Sequence, residues 1–226
     1  MKVLALDTST DFISLACLEN NTLVSEIHEE AGMKHSQILV SEIDGMLKAL
    51  NWTIRDIDLI AAGIGPGSFT GLRIGVTTVK GIALVLGTAI AGISTMDAVA
   101  MRAPSGKGLI VPVLDAHKGK VYTCVYEKTC DGKLKRKTEE LLCDVGELKT
   151  FVKEKAFFFG SGLKKYGDEI KNWKFAELDN TWDWFPRAAD IGKIAIELKD
   201  KATLRPEALE PMYLYPKECN VVRGKG

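Results

Sequence analysis

Short apolar runs cut by polar turns occupy the first thirty residues. Residues 3–6 run into Asp7-Thr8-Ser9-Thr10, and two further runs, 12–18 and 22–28, are divided by Glu19-Asn20-Asn21. Strand-length runs bounded by turn residues predict an antiparallel meander. The period then changes. Ile38, Leu39, Ile43, Met46, Leu47 and Leu50 recur at helical spacing behind Ser36, a residue able to cap, and ahead of Asn51, a suitable stop. Residues 57–63 read as a strand, 68–86 as a long helix, 88–93 as a strand and 95–102 as a short helix. The cluster Pro104-Ser105-Gly106-Lys107-Gly108 breaks the pattern and predicts a boundary between a lobe of residues 1–103 and one of 108–226.

The second half repeats the order. Residues 109–114 end at Asp115 as the first strand ends at Asp7. Strands over 121–127 and 133–142 are joined by the turn Cys130-Asp131-Gly132. A helix over 144–155, a strand over 156–159, and helices over 163–172 and 186–199 follow. Repeated β-β-β-α order implies an α/β protein of two related halves, each on a mixed sheet. Pro206, Pro211 and Pro216, with Tyr213 and Tyr215 between them, predict an extended strap laid over the body.

Composition narrows the function classes. Of 226 residues, 46% are apolar and 27% charged, ordinary values for a globular chain. Thirty basic residues balance thirty acidic ones, which argues against autonomous, salt-sensitive nucleic-acid binding. Cys17, Cys124, Cys130, Cys143 and Cys219 are odd in number and lack C-x-x-C spacing, so neither a disulfide framework nor a zinc site is expected. No signal peptide is read, and the charge-free stretch 81–93 is too short to span a membrane. A cytoplasmic setting is the expectation.

The densest motif is Gly65-Pro66-Gly67-Ser68-Phe69-Thr70-Gly71-Leu72-Arg73-Ile74-Gly75, a glycine turn opening the long helix. It can be read as an anion contact at Gly65, Gly67 and Ser68, where helix N–H groups converge, or as a tight packing corner. It lacks the Gly-Lys-Ser/Thr of a Walker A loop. Asp7 and Asp115 end equivalent strands, either as metal-directed carboxylates or as turn aspartates. His28, His35 and His117 form no i, i+3 or i+4 pair, so no metal site is expected; His35 reads as a capping or solvent-facing residue in preference to a partner or substrate contact. Phe159-Gly160-Ser161-Gly162 reads as a structural turn. Lys133 to Lys137 reads as a solvated strand in preference to a contact for nucleic-acid phosphates, and Trp173, Phe175, Trp182, Trp184 and Phe185 as a core plug in preference to a stacking platform. On the long helix the only charges are Arg73 and Lys80, so one face needs the sheet and the other a second protein.

Leu6-Asp7-Thr8-Ser9-Thr10, His35-Ser36, the Gly65–Gly75 block, the run Asp115 to Tyr122 and Tyr213-Leu214-Tyr215 together resemble the bacterial TsaB (YeaZ) family. The resemblance implies a two-lobed actin-like/Hsp70-like ATPase-type fold. It also implies a non-catalytic subunit of the machinery that places threonylcarbamoyl on the tRNA adenosine beside the anticodon. The implied partners are a TsaD-type catalytic subunit, a TsaE-type ATPase, and a second copy of this chain when alone. No cofactor is implied for the isolated chain; ATP, ADP and metal belong to the partner subunits, and tRNA is met only through the complex.

By the same resemblance the partner face lies on the first two long helices, at Ser36, Leu39, Ile43, Met46, Leu47, Leu50, Arg73, Thr77, Val79, Lys80 and Leu84. Two positions depart from the family pattern: His117 stands where arginine is usual, and Tyr215 where many members end Tyr-Leu-Arg. Where TsaD-type relatives carry a His-x-x-x-His pair, this chain has none. The alternative is a stand-alone phosphotransferase of the same fold using Asp7 and Asp115, or a metallohydrolase. A homodimeric binding module with no role in tRNA modification is a third reading.

Overall fold

β1 (Lys2–Asp7) lies at the centre of the first sheet, and its two faces feed different layers. Leu4 and Leu6 pack with α1 (His35–Ala49) and α2 (Phe69–Leu86), whereas Val3 and Ala5 pack with α6 (Ala188–Glu197). Side chains alternate along a strand, so a strand covered on both faces must be apolar along its covered length, as this one is from Val3 to Leu6. The computed structural model describes residues 1–179 and 184–215, the side chain of Met33 excepted.

The first sheet has the order β3-β2-β1-β4-β5. β2 (Phe12–Glu19) and β3 (Thr22–Glu30) form the expected meander with β1, while β4 (Leu59–Gly65) and β5 (Ala89–Ser94) run parallel to it. The second sheet repeats this plan as β10-β7-β6-β11-β12, centred on β6 (Gly108–Asp115). There β7 (Lys120–Thr123) and β10 (Leu141–Asp144) are antiparallel neighbours, and β11 (Ala156–Phe159) and β12 (Ala176–Leu178) are parallel ones. Two sheets of identical order make this an α/β protein of the two-lobed actin-like ATPase type.

Four elements depart from the sequence reading. The run 121–127 breaks into β7 and β8 (Tyr126–Lys128), and 133–142 into β9 (Leu134–Arg136) and β10. At the break, the Val125 N–H donates to the Thr138 hydroxyl at 3.0 Å, so a side chain replaces the ladder partner. The helix expected over 144–155 shrinks to a 3-10 turn and the single turn α4 (Leu148–Phe151), whereas the one expected over 163–172 forms as α5 (Leu163–Lys171). β12, half-buried throughout, carries no strong strand pattern and was not anticipated.

The assignment of all residues after 108 to the second lobe needs correction. α6 lies on the first sheet, with Ile191 and Ala195 in the core against β1 and β2. In return, α3 (Thr95–Met101) from the first half sends Met96, Val99 and Ala100 into the core beneath β6. The strap is present over its described length. Thr203 bridges Ile90, Leu209 is buried in the first-lobe core, and the Met212 N–H donates to the Ile64 carbonyl at 2.7 Å. Pro216 and Cys219 lie outside the described residues.

Candidate docking groove between the first two helices

α2 begins where β4 ends. The Ser68 hydroxyl caps it by accepting the Gly71 N–H at 3.2 Å. The Ser68 N–H donates to the Ser9 carbonyl at 2.7 Å, and the Thr8 hydroxyl donates to the Gly71 carbonyl at 2.7 Å. A Cβ on Gly67 would lie 2.4 Å from the Ser9 oxygen, one on Gly71 1.9 Å from the Thr8 oxygen, and one on Gly75 2.4 Å from Thr8 Oγ1. These glycines let the helix lie directly on the backbone of the β1 turn. Of the two readings of Gly65, Gly67 and Ser68, the geometry displays the packing corner: the Ser68 donor proposed for an anion is already committed to Ser9. Gly160 and Gly162 repeat the device in the second half, where a Cβ would meet the Val113 oxygen at 2.4 and 2.9 Å.

Asp7 is wholly buried and accepts the Ser9 N–H at 2.8 Å, the Ser9 hydroxyl at 2.7 Å and the Thr95 hydroxyl at 3.3 Å. Burial pushes its carboxyl above the usual range, against the pull of those hydrogen bonds. Asp115, more open, accepts the His117 N–H at 3.0 Å and the Tyr166 hydroxyl at 3.2 Å, with Lys165 at 3.4 Å. Both are turn aspartates in this fold.

His35 is not solvent-facing. It is buried at the start of α1, with Nε2 3.3 Å from the Phe12 carbonyl oxygen, and Ser36 lies exposed inside the helix without capping it. Asn51 does adopt the left-handed stop, at φ +54°. His117 is exposed at the tip of a turn, also with positive φ, and its Nδ1 lies 3.8 Å from Asp115.

Between α1 and α2 a groove of about 960 Å³ opens. Leu39, Ile43 and Leu47 of α1 and Ile74 and Ile82 of α2 line it, with Trp52 and Ile54 from the connection after α1. Val40, Thr77 and Gly81 are its exposed apolar and small lining residues, while Arg73, Asp44 and Lys48 bring charge. Val40 is 65% exposed, and beyond the groove Leu84 and Val85 are 77% and 79% exposed. By length and composition α2 is apolar enough to cross a membrane, yet its inner face is packed on the sheet.

This geometry divides the expected partner residues. Leu39, Ile43, Met46, Leu47 and Val79 are buried in the first-lobe core, and Leu50 is half-buried against it. The inner face of α2 uses Leu72, Val76, Val79 and Ala83 at spacings of three and four, so these turn toward the sheet and not toward a partner. Ser36, Arg73, Thr77 and Leu84 are exposed, and Lys80 is partly so. Val40, Phe69 and Val85 are further exposed apolar residues of these two helices that the sequence reading did not single out, although the adjacent pair Leu84-Val85 overruns a single helical stripe.

Arg73 is held in a defined place. Its guanidinium carbon lies 3.9 Å from the Phe69 ring centroid, and its Nε–H donates to the Tyr213 hydroxyl at 3.2 Å. Tyr213 in turn packs on Phe69, with ring centroids 4.8 Å apart.

The remaining candidates are structural. Arg136 pairs with Asp97 at 2.5 Å, Lys137 with Glu127 at 2.8 Å and Lys133 with Asp131 at 3.2 Å, so three of the four basic side chains in the run are ion-paired. Trp173 and Phe175 pack on Phe158 in the second-lobe core, Trp184 packs on Phe159, and Phe185 packs on Phe12. Trp182 lies outside the described residues. Among the described residues no three His, Cys, Asp or Glu side chains are grouped to hold a metal ion.

Known proteins give this arrangement its context. A family model described as TsaD, tRNA N6-adenosine threonylcarbamoyltransferase, matches residues 17–171. The Escherichia coli (strain K12) tRNA threonylcarbamoyladenosine biosynthesis protein TsaB is 30% identical over 220 residues, 95% of this chain and 94% of that protein. The Bacillus subtilis (strain 168) protein of the same name is 34% identical over 127 residues, a match spanning 56% of each chain. Among solved structures, YeaZ from Pseudomonas aeruginosa superposes with a TM-score of 0.79 at 26% identity, covering 94% of this chain and all of that one. A second P. aeruginosa structure, described as an uncharacterized protein with similarity to peptidase YEAZ, gives 0.82 at 26% identity, covering 95% and 99%. With near full-length matches in both sequence and structure, the chain belongs to the TsaB (YeaZ) family, within the wider group that the TsaD model describes.

Proposed function

We propose that this chain is a non-catalytic subunit in the biosynthesis of threonylcarbamoyladenosine in tRNA, and that its α1/α2 face docks on a TsaD-type catalytic subunit. The observation that carries the reading is the open apolar groove between α1 and α2, flanked by Val40, Leu84 and Val85. Exposed apolar surface of this kind marks an interaction site. α2, with 18 residues, presents an edge about 27 Å long. Two such helices covered by two others give the area of about 1,000 Å² or more that a specific interface needs. Because a TsaD model matches this chain, a TsaD-type subunit carries a comparable pair of helices, and like faces can meet about a pseudo-twofold axis. A second copy of this chain would use the same face when the partner is absent.

In this reading the chemistry lies elsewhere. ATP, metal and tRNA are held by the partner subunits, a TsaE-type ATPase among them, and the complex works in the cytoplasm. The stand-alone phosphotransferase is the weaker reading, because it needs Asp7 to reach a metal or phosphate while its carboxylate is enclosed by Ser9 and Thr95. The test is light scattering of the chain mixed with the TsaD-type subunit of the same organism, together with the tRNA modification level after depletion of the chain. A heterodimer and loss of the modified nucleoside are expected. Separate monomers with intact modification would overturn the proposal.

A further inference from the structure

Among the described residues, the groove contains a cation that is positioned but not neutralised. We propose that Arg73 is the anchor by which this face recognises a carboxylate on its partner, and that the C-terminal strap holds the guanidinium ready for it. The inference rests on the reading that the groove receives a TsaD-type subunit, and it names the chemistry which that surface must bring.

Arg73 and Lys80 are the only charged residues on α2, and Arg73 lines the groove. Its guanidinium rests on Phe69, and its Nε–H is taken by Tyr213. Tyr213 belongs to a strap fixed on either side of the contact, by the Met212 N–H on the Ile64 carbonyl and by the Tyr215 hydroxyl on the Ala116 carbonyl at 2.9 Å. Among the described residues one N–H of five is thus used, and the four on the terminal nitrogens keep the planar fork that matches a carboxylate. Among the described residues no carboxylate lies within ion-pair distance of Arg73. Arg136 shows the contrast: its Nε and Nη2 grip both oxygens of Asp97 at 2.8 and 2.5 Å.

Two physical consequences follow. Much of the rotamer entropy of Arg73 is already lost in the monomer, so binding a carboxylate costs less than for a free arginine. A partner that covered this rim without an acid would bury an uncompensated charge, a strongly unfavourable arrangement. The complementary surface is therefore a helical pair with an apolar stripe for the groove and an Asp or Glu placed opposite Arg73.

Calorimetric titration of the TsaD-type subunit into the wild-type chain, Arg73→Gln, Arg73→Lys, Tyr213→Phe and Val40→Glu, at low and high salt, tests this. Circular dichroism first establishes that each variant is folded. Arg73→Gln is expected to bind about tenfold more weakly at low salt, with the deficit shrinking as salt rises. Arg73→Lys should recover only part of the loss, because a point charge lacks the fork. Tyr213→Phe should weaken binding about threefold in the wild-type background and have no added effect in Arg73→Gln, the signature of coupled residues. If Arg73→Gln binds within about twofold of wild type at every salt while Val40→Glu abolishes binding, the Arg73 anchor is wrong and the groove stands. If wild type does not bind at all, the groove reading fails and takes the anchor with it.

Discussion

Gly71 and Gly81 sit on one helix and answer opposite demands. A methyl group on Gly71 would press into the Thr8 backbone at 1.9 Å, so Gly71→Ala must push α2 off the β1 turn. We expect a loss of about 3 kcal/mol in urea denaturation. Nothing lies within 4 Å of a Cβ on Gly81, which lines the groove. Gly81→Ala should therefore gain about 1 kcal/mol from helix propensity while weakening partner binding measured by titration. Asp7 adds a pH signature. A carboxyl whose folded pKa stands above its unfolded value binds more protons in the native state, so its contribution to stability falls as pH rises from the ordinary value near 3.8 through the folded value. Asp7→Asn should remove that fall. Subtracting the wild-type stability curve from the variant's should give a difference that rises across this window and is flat above it. A flat difference throughout would mean that burial does not perturb Asp7. Sequence alone left the glycine turn open between anion contact and packing, because both uses require the same absent side chain.

At the scale of elements, α1 and α2 separate what periodicity can tell from what it cannot. Spacing located both helices nearly to the residue, and Ser68 and Asn51 marked a start and a stop that the fold uses. It did not say which apolar residues turn inward, because a helix apolar on most sides has no single stripe. Val79 is fully buried and Ile43 is 5% exposed, so Val79→Glu and Ile43→Glu should destabilise the fold by several kcal/mol through a buried unpaired charge. Val40→Glu and Leu84→Glu should stay within about 0.5 kcal/mol of wild type in thermal unfolding and yet lose the heterodimer in light scattering. If all four behave alike, the assignment of inner and outer faces is wrong.

The whole molecule is braced by exchanges between its halves. α3 from the first half is docked on the second sheet by Asp97, which accepts the Tyr126 hydroxyl at 2.8 Å as well as both arms of Arg136. Lys128 Nζ donates to the Met101 and Ala103 carbonyls at 2.6 and 2.5 Å, closing the end of the same helix. Asp97→Ala leaves Arg136 with Glu140 alone, at 2.8 Å, and leaves a deeply buried tyrosine hydroxyl without its carboxylate acceptor. We expect a loss of about 2 kcal/mol in urea denaturation, with the two lobes still unfolding in one transition. Separate transitions for the lobes would show that this brace couples them.

What the residues alone determined was local and periodic: the strand and helix order, its repetition in two halves, the glycine block, and with it the family. The tertiary structure decided which face of α2 meets the sheet and that α6 returns to the first lobe. It also showed that the glycines serve a backbone contact, and that a strap 140 positions away in sequence steadies Arg73. The division has a physical cause. Side-chain period and turn chemistry are written within a few residues of one another, whereas the partner that removes an apolar face from water is chosen by the closure of distant segments, which no local pattern records.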